Sequence, residues 1–465
     1  MNQPWPIIFK YHCSALKIFL EKIIAAFFRY IPIEKYFSTY LLRNLLQLLL
    51  LQCFSLLLGF LSNYVLLKLV GVSDYGLYVY VFNFIYLLVS FCLIGAHTLV
   101  IRNLPVYEIS KDYKMQKGVI FFAITAAVLG SLIVSFVSGI LVQFTPIAKS
   151  IGSIYWFLLA IISLPMLSVT TIIQSALQGE RKIALSQLAE KIIKPAIIIT
   201  AVLSLFFLKK EISFNRLITV SLLAIGATLL ITFIFYQRHL GLRLRNVKPA
   251  FEISTWRHSA TAFFLVSILY IVNSRIDIFL LGVFKGNKAV GVYNIVLKIS
   301  EIIGFVLAIV NLIISPVIAK LYAAGDIFQL QQLMTRSAQI VFICGFPLFS
   351  VIVFFRKYIL SFFGVNFLGG GDALIILGSG QLINILCGSV GTLLIMTGYQ
   401  KFSLLSLAAA TVFNITLNVL LTPGLGLIGT AIGAASSLMI WNLLMFLFVR
   451  KKMKIFFHPF KSFRA

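Results

Sequence analysis

The sequence has few charged residues, and very few of these are acidic. Charged side chains make up 11% of the 465 residues, and only 13 are Asp or Glu, against 39 Lys and Arg. In contrast, 60% of the residues are hydrophobic, and the mean hydropathy of +1.03 exceeds that of soluble globular chains. The shortage of charge therefore excludes a soluble protein and indicates a chain that crosses a membrane many times.

Cysteine is also scarce, and its five positions do not form the pattern of a binding site. The sequence has no CxxC pair and no histidine cluster at metal spacing. Most of the cysteines lie inside apolar runs, where a cysteine packs as a small hydrophobic residue. We therefore expect neither a metal site nor a cofactor at Cys13, Cys53, Cys92, Cys344 and Cys387.

Apolar stretches of membrane-spanning length recur along the whole chain. A helix rises about 1.5 Å per residue, so about 20 apolar residues cross a hydrocarbon layer about 30 Å thick. Lipid offers the backbone no hydrogen-bond partners, whereas a helix satisfies its own. The sequence predicts an all-α polytopic membrane protein with about twelve transmembrane helices, near residues 43–70, 77–101, 118–144, 153–178, 183–207, 215–237, 258–284, 289–318, 337–360, 372–397, 402–422 and 427–449.

The basic residues lie mainly in the loops of one membrane face. Twelve spans place both termini on the same face, which receives 26 of the 39 Lys and Arg, whereas the opposite face receives 9. The positive-inside rule then makes both termini cytoplasmic. This topology accounts for most of the net charge of +26, so we expect anionic membrane lipids, and no nucleic acid, as partners.

The first forty residues have a different pattern. Between Ile7 and Tyr30, apolar residues alternate with charged ones, which is typical of a helix that lies in the membrane interface. A thirteenth crossing is the alternative. Together with the spans, this pattern predicts a basic interfacial segment at 1–40, an N-lobe at 41–240, a cytoplasmic basic linker at 241–257, a C-lobe at 258–450 and a basic cytoplasmic tail at 451–465.

The two halves of the chain share short motifs at a nearly constant offset. DYGLYVYVF at 74–82 and AVGVYNIVL at 289–297 each carry Gly-x-Tyr before a long apolar run, and their glycines are 215 residues apart. LQGERK at 177–182 matches MTGYQK at 396–401 with an offset of 219. An even number of helices per repeat relates the repeats by an axis along the membrane normal. The motifs therefore predict two similar six-helix lobes with a cavity between them.

Four segments together resemble the polysaccharide transporter family: DYGLY, the QGERK turn, GVYNIVLKISEIIGFVLAIVNLIISPVIAKLYAAGD at 291–326 and PGLGLIGTAIGAASS at 423–437. This family includes the Wzx-type O-antigen flippases and belongs with the multidrug and toxin extruders and the lipid II flippase. The resemblance covers residues 41–450. It implies a V-shaped pair of lobes that opens alternately to each side of a bacterial inner membrane.

The resemblance also implies a cargo and partners. The cargo would be an undecaprenyl-diphosphate-linked oligosaccharide, carried to the outer leaflet for O-antigen lipopolysaccharide or another envelope polysaccharide. Cationic side chains in the cavity would meet this lipid-linked anionic oligosaccharide. The protein would be a transporter and not an enzyme, and we expect a monomer that works beside polysaccharide polymerase or assembly proteins. The depth of Asp277 and Glu301 in the membrane leads us to expect an antiporter driven by H⁺ or Na⁺.

Ionisable residues inside the predicted spans are the candidate site residues. A charge at bilayer depth costs several kcal/mol unless it is paired or faces water, so each such residue is a functional candidate. Arginine suits a diphosphate because its guanidinium binds phosphate oxygens in bidentate fashion. We expect the cationic cavity to be formed by Arg275, Lys191, Lys194, Lys298 and Arg43, and we expect Asp277 and Glu301 to couple transport to an ion.

The expected facing of these charges follows from helix geometry. Arg275 and Asp277 are two residues apart, hence about 200° apart around the axis, so they face different neighbours. We expect Asp277, with Asn273 one turn earlier, to face the eighth span and pair with Lys298, while Arg275 faces the cavity. The opposite facing, and mutual neutralisation of these charges together with Glu301, are the alternatives.

Other polar positions in the spans each have two interpretations. In the fifth span, Glu190 and Lys194 are expected to pair at i, i+4, which leaves Lys191 for the cavity or the membrane interface. Arg43 begins the first span and is interpreted as an interfacial anchor, although the resemblance places the first helix at the cavity. His97 is interpreted as a packed or interfacial residue and not as a proton relay.

Two other functions compete with transport of a lipid-linked sugar. A membrane polymerase or ligase needs a substantial extracytoplasmic domain or poised carboxylates, and the sequence shows neither beyond the intramembrane charges. An ion-coupled multidrug exporter needs acidic groups for cationic cargo, whereas the candidate cavity charges are mostly basic. The charges therefore favour an anionic cargo.

Overall fold

A computed structural model describes residues 39–141, 144, 153–208, 213–455 and 457. The predicted interfacial segment at 1–40 therefore lies almost entirely outside the described residues, as does the end of the predicted tail at 451–465. Within the described ranges the chain consists of helices and short connections, without a strand.

The N-lobe is built from long apolar helices, two of which are interrupted. The second pass breaks at Ile94 and Gly95, and a π-helical turn, Ala189–Ile193, divides the fifth. The helices are α1 (Thr39–Val70), α2 (Val72–Leu93), α3 (Ala96–Ile109), α4 (Tyr113–Leu141), α5 (Ser153–Gly179), α6 (Ile183–Leu188), α7 (Lys194–Phe207) and α8 (Phe214–Tyr236).

Small residues let these helices approach one another closely in an apolar environment, where the packing of backbones replaces the hydrophobic effect. Helix α4 illustrates this, because its buried side carries mostly small side chains. They are Gly118, Ala123, Ala127, Gly130, Ser131, Ser135, Ser138 and Gly139.

The C-lobe begins with one helix that folds back on itself. Helix α9 (Ile253–Ala323) has a non-helical residue, Gly286, whose φ of 77° is a conformation that side chains other than glycine rarely adopt. The bend divides α9 into a first arm, 253–285, and a second arm, 287–323. The remaining helices are α10 (Ile327–Phe354), α11 (Arg356–Phe363), α12 (Gly371–Cys387), α13 (Val390–Met396), α14 (Gln400–Leu425) and α15 (Leu427–Phe448).

The described helices cross the membrane twelve times. Ten helices are long and apolar enough for a crossing, and α9 is counted once among them although each of its arms is long enough to span. The pair α6 and α7, divided by the π-helical turn, adds the twelfth. The predicted all-α fold with about twelve spans in two lobes is therefore confirmed.

The two lobes meet through the glycines of the repeated Gly-x-Tyr motif. A Cβ on Gly76 of α2 would lie 1.8 Å from the carbonyl oxygen of Asn287, and one on Gly291 of the second arm would lie 2.9 Å from that of Val72. Val72 and Asn287 are 215 residues apart, as are Gly76 and Gly291. Each glycine therefore contacts the equivalent position of the other repeat. We call Gly76 and Gly291 the glycine seam. It lies opposite the face where α1 begins and α15 ends, which we call the terminal face.

Candidate functional site

A cavity of about 1170 Å³ lies between the two lobes. We call the direction away from the terminal face up. The uppermost charged residue on the cavity wall is Arg275, which is 11 residues, or about 16 Å along the helix, from the bend at Gly286. At the other end the wall includes Gln400 and Lys401, in the first turn of α14. The cavity therefore begins in the middle of the bundle and reaches the terminal face.

Contacts between the lobes close the bundle above the cavity. Besides the glycine seam, Asn294 of the second arm donates a hydrogen bond to the Tyr75 hydroxyl at 2.8 Å, and that hydroxyl donates to Asn63 at 2.8 Å. The rings of Tyr80 and Phe279 stack with their centroids 5.9 Å apart. These backbone, polar and aromatic contacts join the lobes at the face opposite the terminal face.

Basic groups outnumber acidic groups on the cavity wall. Among the described residues that line it, Lys194, Arg275 and Lys401 are basic and Glu190 is acidic. The imidazole of His97 also lines the cavity, with Nδ1 buried and Nε2 3.1 Å from the Thr98 hydroxyl, and its interpretation as a packed or interfacial residue stays a prediction. Charges of one sign at the low-dielectric wall of a cleft attract ligands of the opposite sign, here anions.

Arg275 and Lys194 converge on one tyrosine from different lobes. Lys194 donates a hydrogen bond to the Tyr86 hydroxyl, and its ammonium lies 5.1 Å from the centre of that ring. The guanidinium of Arg275 lies 5.8 Å from the same ring and donates a hydrogen bond to the side-chain oxygen of Asn83. We call Arg275 and Lys194 the cation pair. Among the described residues, neither cation has a carboxylate within salt-bridge distance.

The direction of Lys194 depends on the π-helical turn before it. A π turn holds one more residue than an α turn, so it shifts the faces of the residues that follow. The π-helical turn Ala189–Ile193 lies between Glu190 and Lys194, and Pro195 then occupies the first turn of α7. The Lys194 ammonium donates to the Tyr86 hydroxyl and forms no salt bridge with Glu190, so the predicted Glu190–Lys194 pair is wrong.

Two of the predicted cavity lysines point elsewhere. Lys191 donates a hydrogen bond to Gln52 of α1 at 3.0 Å, and Gln52 in turn donates to Gln187 at 3.2 Å. Lys298 forms a salt bridge of 2.7 Å with Glu301, one turn along the same helix, with 40% and 44% of their side chains exposed. Neither lysine is among the described residues that line the cavity.

Asp277 is buried against Tyr293, so its predicted pairing with Lys298 is wrong. The Tyr293 hydroxyl donates to the Asp277 carboxylate at 2.8 Å across the bend of α9, and the amide of Ile278 donates at 2.9 Å. Lys298 is five residues beyond Tyr293, about 140° further around the helix, and so faces a different direction.

Asn273 faces the interior of the C-lobe and not the eighth span, so this prediction is also wrong. Its side-chain oxygen accepts a hydrogen bond from Ser437 of α15 at 2.8 Å, and its backbone oxygen accepts one from Asn414 of α14 at 3.2 Å. Further hydrogen bonds continue from Asn414 to Asn418 and Thr422. This buried chain of neutral side chains joins three helices of one lobe.

Arg43 lies in helix α1, but its side chain is outside the part of the structure that is described. Its predicted role therefore stays a prediction, as do the roles in binding and coupling assigned to Arg275, Lys191, Lys194, Lys298, Asp277 and Glu301.

Sequence reasoning missed the uncharged residues of the cavity. Tyr86 and Asn83 hold the cation pair, and Tyr270, Trp441 and Asn311 also lie at or beside the wall. Asn83 and Asn311 carried a usable signal, because an amide within an apolar span is costly without a partner. The tyrosines and the tryptophan carried none, since the chain has 43 Phe and 18 Tyr.

Comparison with known proteins gives two family matches. The family model described as Polysaccharide biosynthesis protein matches residues 41–322, and the model described as MatE matches residues 262–420. A search of the curated proteins finds no significant match.

Solved structures share the fold at low identity. An inward-facing multidrug resistance MATE family transporter of the MOP superfamily has a TM-score of 0.67 and 16% identity, covering 86% of this chain and 94% of that chain. The lipid II flippase MurJ, in an inward closed conformation, has a TM-score of 0.66 and 15% identity, covering 86% and 87%. A MOP superfamily transporter from Pyrococcus furiosus, described by the reverse polarity of its binding pocket, has a TM-score of 0.58 and 16% identity, covering 89% and 95%.

Proposed function

The chain belongs to the polysaccharide biosynthesis protein family, and from this premise we propose that it is a flippase for an undecaprenyl-diphosphate-linked oligosaccharide. The observation that carries the proposal is the cation pair at the upper end of the cavity. Two cations without carboxylate partners suit a ligand that brings its own negative charge, because a buried charge is stable only when it is compensated. A diphosphate provides that charge at the junction between a lipid and a sugar.

The geometry also supports a direction of transport. The cavity reaches the terminal face, which carries most of the basic residues and is cytoplasmic by the positive-inside rule. The headgroup enters from the cytoplasmic leaflet and binds at the cation pair. The glycine seam then opens as the terminal face closes, and the headgroup is released to the outer leaflet.

An ion gradient drives this cycle in our proposal, through Asp277 or Glu301. Asp277 is buried between the two arms of α9, about 13 Å along the helix from the bend at Gly286, and Glu301 lies further from the bend on the second arm. Both carboxylates are on α9, the helix whose second arm carries Gly291 of the glycine seam. Protonation or sodium binding at either carboxylate changes the charge on this helix.

The test is reconstitution into vesicles that contain labelled undecaprenyl-diphosphate oligosaccharide, with translocation measured for Arg275→Ala. A charged hydrogen bond contributes about 1.5–3 kcal/mol, so we expect translocation about 10- to 150-fold slower. The matched control is Arg257→Ala, because Arg257 is an exposed arginine on the same arm outside the cavity wall. Equal rates for the native protein and Arg275→Ala would remove Arg275 from the site.

The second candidate is an ion-coupled exporter of cationic drugs. The match of residues 262–420 to the MatE family and the acidic Glu190 on the cavity wall favour it. Binding of a cationic dye that depends on Glu190, with no binding of the lipid-linked oligosaccharide, would support the exporter in place of the flippase.

A further inference from the structure

Below the cation pair, the cavity wall carries buried polar atoms without partners. The indole nitrogen of Trp441, the side-chain oxygen of Asn311 and Nδ1 of His97 have no hydrogen bond among the described residues. All three residues line the cavity. Buried polar groups in native proteins are almost always hydrogen-bonded, so each of these three atoms needs a partner that the described residues do not supply.

One of these atoms, the Trp441 indole nitrogen, belongs to a pair of aromatic rings. Tyr270 of α9 and Trp441 of α15 meet edge to face, with ring centroids 6.3 Å apart and an angle of 76° between the planes. Tyr270 keeps 56% of its surface exposed although its ring is packed against Trp441. Such a pair offers an apolar face together with a polar edge, which matches a sugar ring with its C–H face and its hydroxyl groups.

These groups follow one another toward the terminal face. Counted along the helices, Tyr270 is about 24 Å from Gly286 and Trp441 about 22 Å from Gly426, so the rings lie at one level, about 8 Å below Arg275. Asn311 and His97 lie lower, each about 38 Å from the start of its helical pass. A sugar joined to a diphosphate at the cation pair therefore reaches the ring pair first.

We propose that Tyr270 and Trp441, followed by Asn311 and His97, form a glycan subsite that binds the saccharide attached to the diphosphate; this rests on the proposed function. The sugar attached to the phosphate packs on the rings and accepts a hydrogen bond from the Trp441 indole. The next sugars reach Asn311 and His97. The volume of about 1170 Å³ exceeds the 300–1,000 Å³ typical of pockets for small ligands, as a headgroup of several sugars requires.

The charges on the wall favour a neutral glycan over a cationic drug at the rings. Glu190, the acidic residue among the described lining residues, lies on the N-lobe at the π-helical turn before Lys194. The ring pair belongs to the C-lobe and has neutral side chains such as Asn442 beside it. Among the described residues that line the cavity, none of the C-lobe residues carries a carboxylate that could pair with a cation at the rings.

The test measures equilibrium binding to the full-length protein in lipid nanodiscs. The probes are undecaprenyl diphosphate without sugar and a panel of undecaprenyl-diphosphate-linked mono- to tetrasaccharides that differ in the first sugar. We expect at least one glycosylated lipid to bind about tenfold more tightly than the bare lipid, and this ratio to fall to about one in Trp441→Ala and Tyr270→Ala. Trp441→Phe keeps a ring but lacks the indole donor, so its ratio should be intermediate.

Controls separate the two proposals and guard against misfolding. Phe413→Ala, an exposed aromatic of α14 outside the cavity wall, should keep the native ratio, and thermal unfolding checks each variant. Arg275→Ala should weaken binding of bare and glycosylated lipid alike. The glycan subsite is refuted if no glycosylated lipid binds more tightly than undecaprenyl diphosphate. It is also refuted if the ratio of the two affinities is unchanged in folded Trp441→Ala and Tyr270→Ala. If neither kind of lipid binds, the proposed function itself fails.

Discussion

Single side chains define the upper end of the cavity. Lys194 is buried, yet its hydrogen bond goes to the neutral hydroxyl of Tyr86. Lys191, three residues earlier, bonds to Gln52 on the outside of the cavity. The two lysines have the same chemistry, and because Lys194 lines the cavity while Lys191 does not, the anion site that we propose includes Lys194 with Arg275 and leaves Lys191 out.

Asp277 is the residue for which ion coupling can be tested most directly. Asp277→Asn removes the charge but keeps an oxygen that accepts from the Tyr293 hydroxyl, so the bend of α9 should be preserved. We expect the double variant Asp277→Asn, Glu301→Gln to transport, with a gradient imposed, only as fast as the native protein does without one. The measurement is vesicle transport with an imposed pH or sodium gradient.

Each single variant serves as the control for the other. Glu301 is half exposed and paired with Lys298, so Glu301→Gln alone should leave more of the gradient dependence than Asp277→Asn alone. A double variant that still responds to both gradients like the native protein would exclude these two carboxylates from coupling.

At the level of helices, the glycine seam decides how closely α2 and the second arm of α9 approach. Neither glycine has room for a Cβ against the backbone of the facing helix. Backbone contacts of this kind depend on small residues, since apolar helices gain nothing from burying larger side chains away from lipid. The seam therefore has no space for a side chain at either glycine, and a residue with a side chain there would push the two helices apart.

Gly76→Val should separate the two helices at the seam. Overpacking costs about 1–3 kcal/mol, so we expect a lower unfolding temperature and an opening of the cavity at the end where the glycine seam lies. The measurement is modification of a reporter, Ser267→Cys on the cavity wall, by a membrane-impermeant thiol reagent from the face opposite the terminal face, in a protein without its native cysteines.

The matched control for the seam is Gly59→Val on α1, because a Cβ at Gly59 meets nothing within 4 Å. Reporter modification should rise in Gly76→Val and stay low in Gly59→Val. Protection of the reporter in a folded Gly76→Val protein would show that the seam does not close the cavity.

For the molecule as a whole, the connection between the lobes is anchored to the N-lobe. Trp256, at the start of α9, is fully buried and donates a hydrogen bond from its indole to the Tyr107 hydroxyl at 3.0 Å. Lys117 of α4 donates to the backbone oxygen of Arg245 at 3.0 Å. The linker is therefore packed on the N-lobe, and the movement between the lobes that we propose would have to bend or slide α9 beyond Trp256.

Alternating access predicts that joining the lobes at the closed face stops transport. Tyr75 and Asn294 are hydrogen-bonded across the lobes, whereas Tyr75 and Asn63 are hydrogen-bonded within the N-lobe. With cysteines at 75 and 294 and a short thiol-reactive cross-linker, we expect transport to fall to the background rate and to return on reduction. Cross-linked cysteines at 75 and 63 should leave transport active, and continued transport with the lobes joined would contradict alternating access at this seam.

The helical fold was predictable because its cause is local. Hydrophobic length alone located all twelve spans, and the repeated Gly-x-Tyr located the two helices that meet at the seam. The bend at Gly286 falls between two predicted spans, where a short connection is required. Each of these features depends on residues close together in the chain, so the sequence pattern contains the information.

The partners of the polar side chains depended on tertiary structure, because they come from distant parts of the chain. Arg275 bonds to Asn83, which is 192 residues away, and Lys194 bonds to Tyr86, which is 108 residues away. Helical periodicity gives the angle between neighbouring residues, but not which helix stands at that angle. For Asp277, periodicity indicates the correct neighbour, the second arm of α9, but not whether Tyr293 or Lys298 on that arm is within reach. The pairing of Tyr270 with Trp441 has no signal in the sequence.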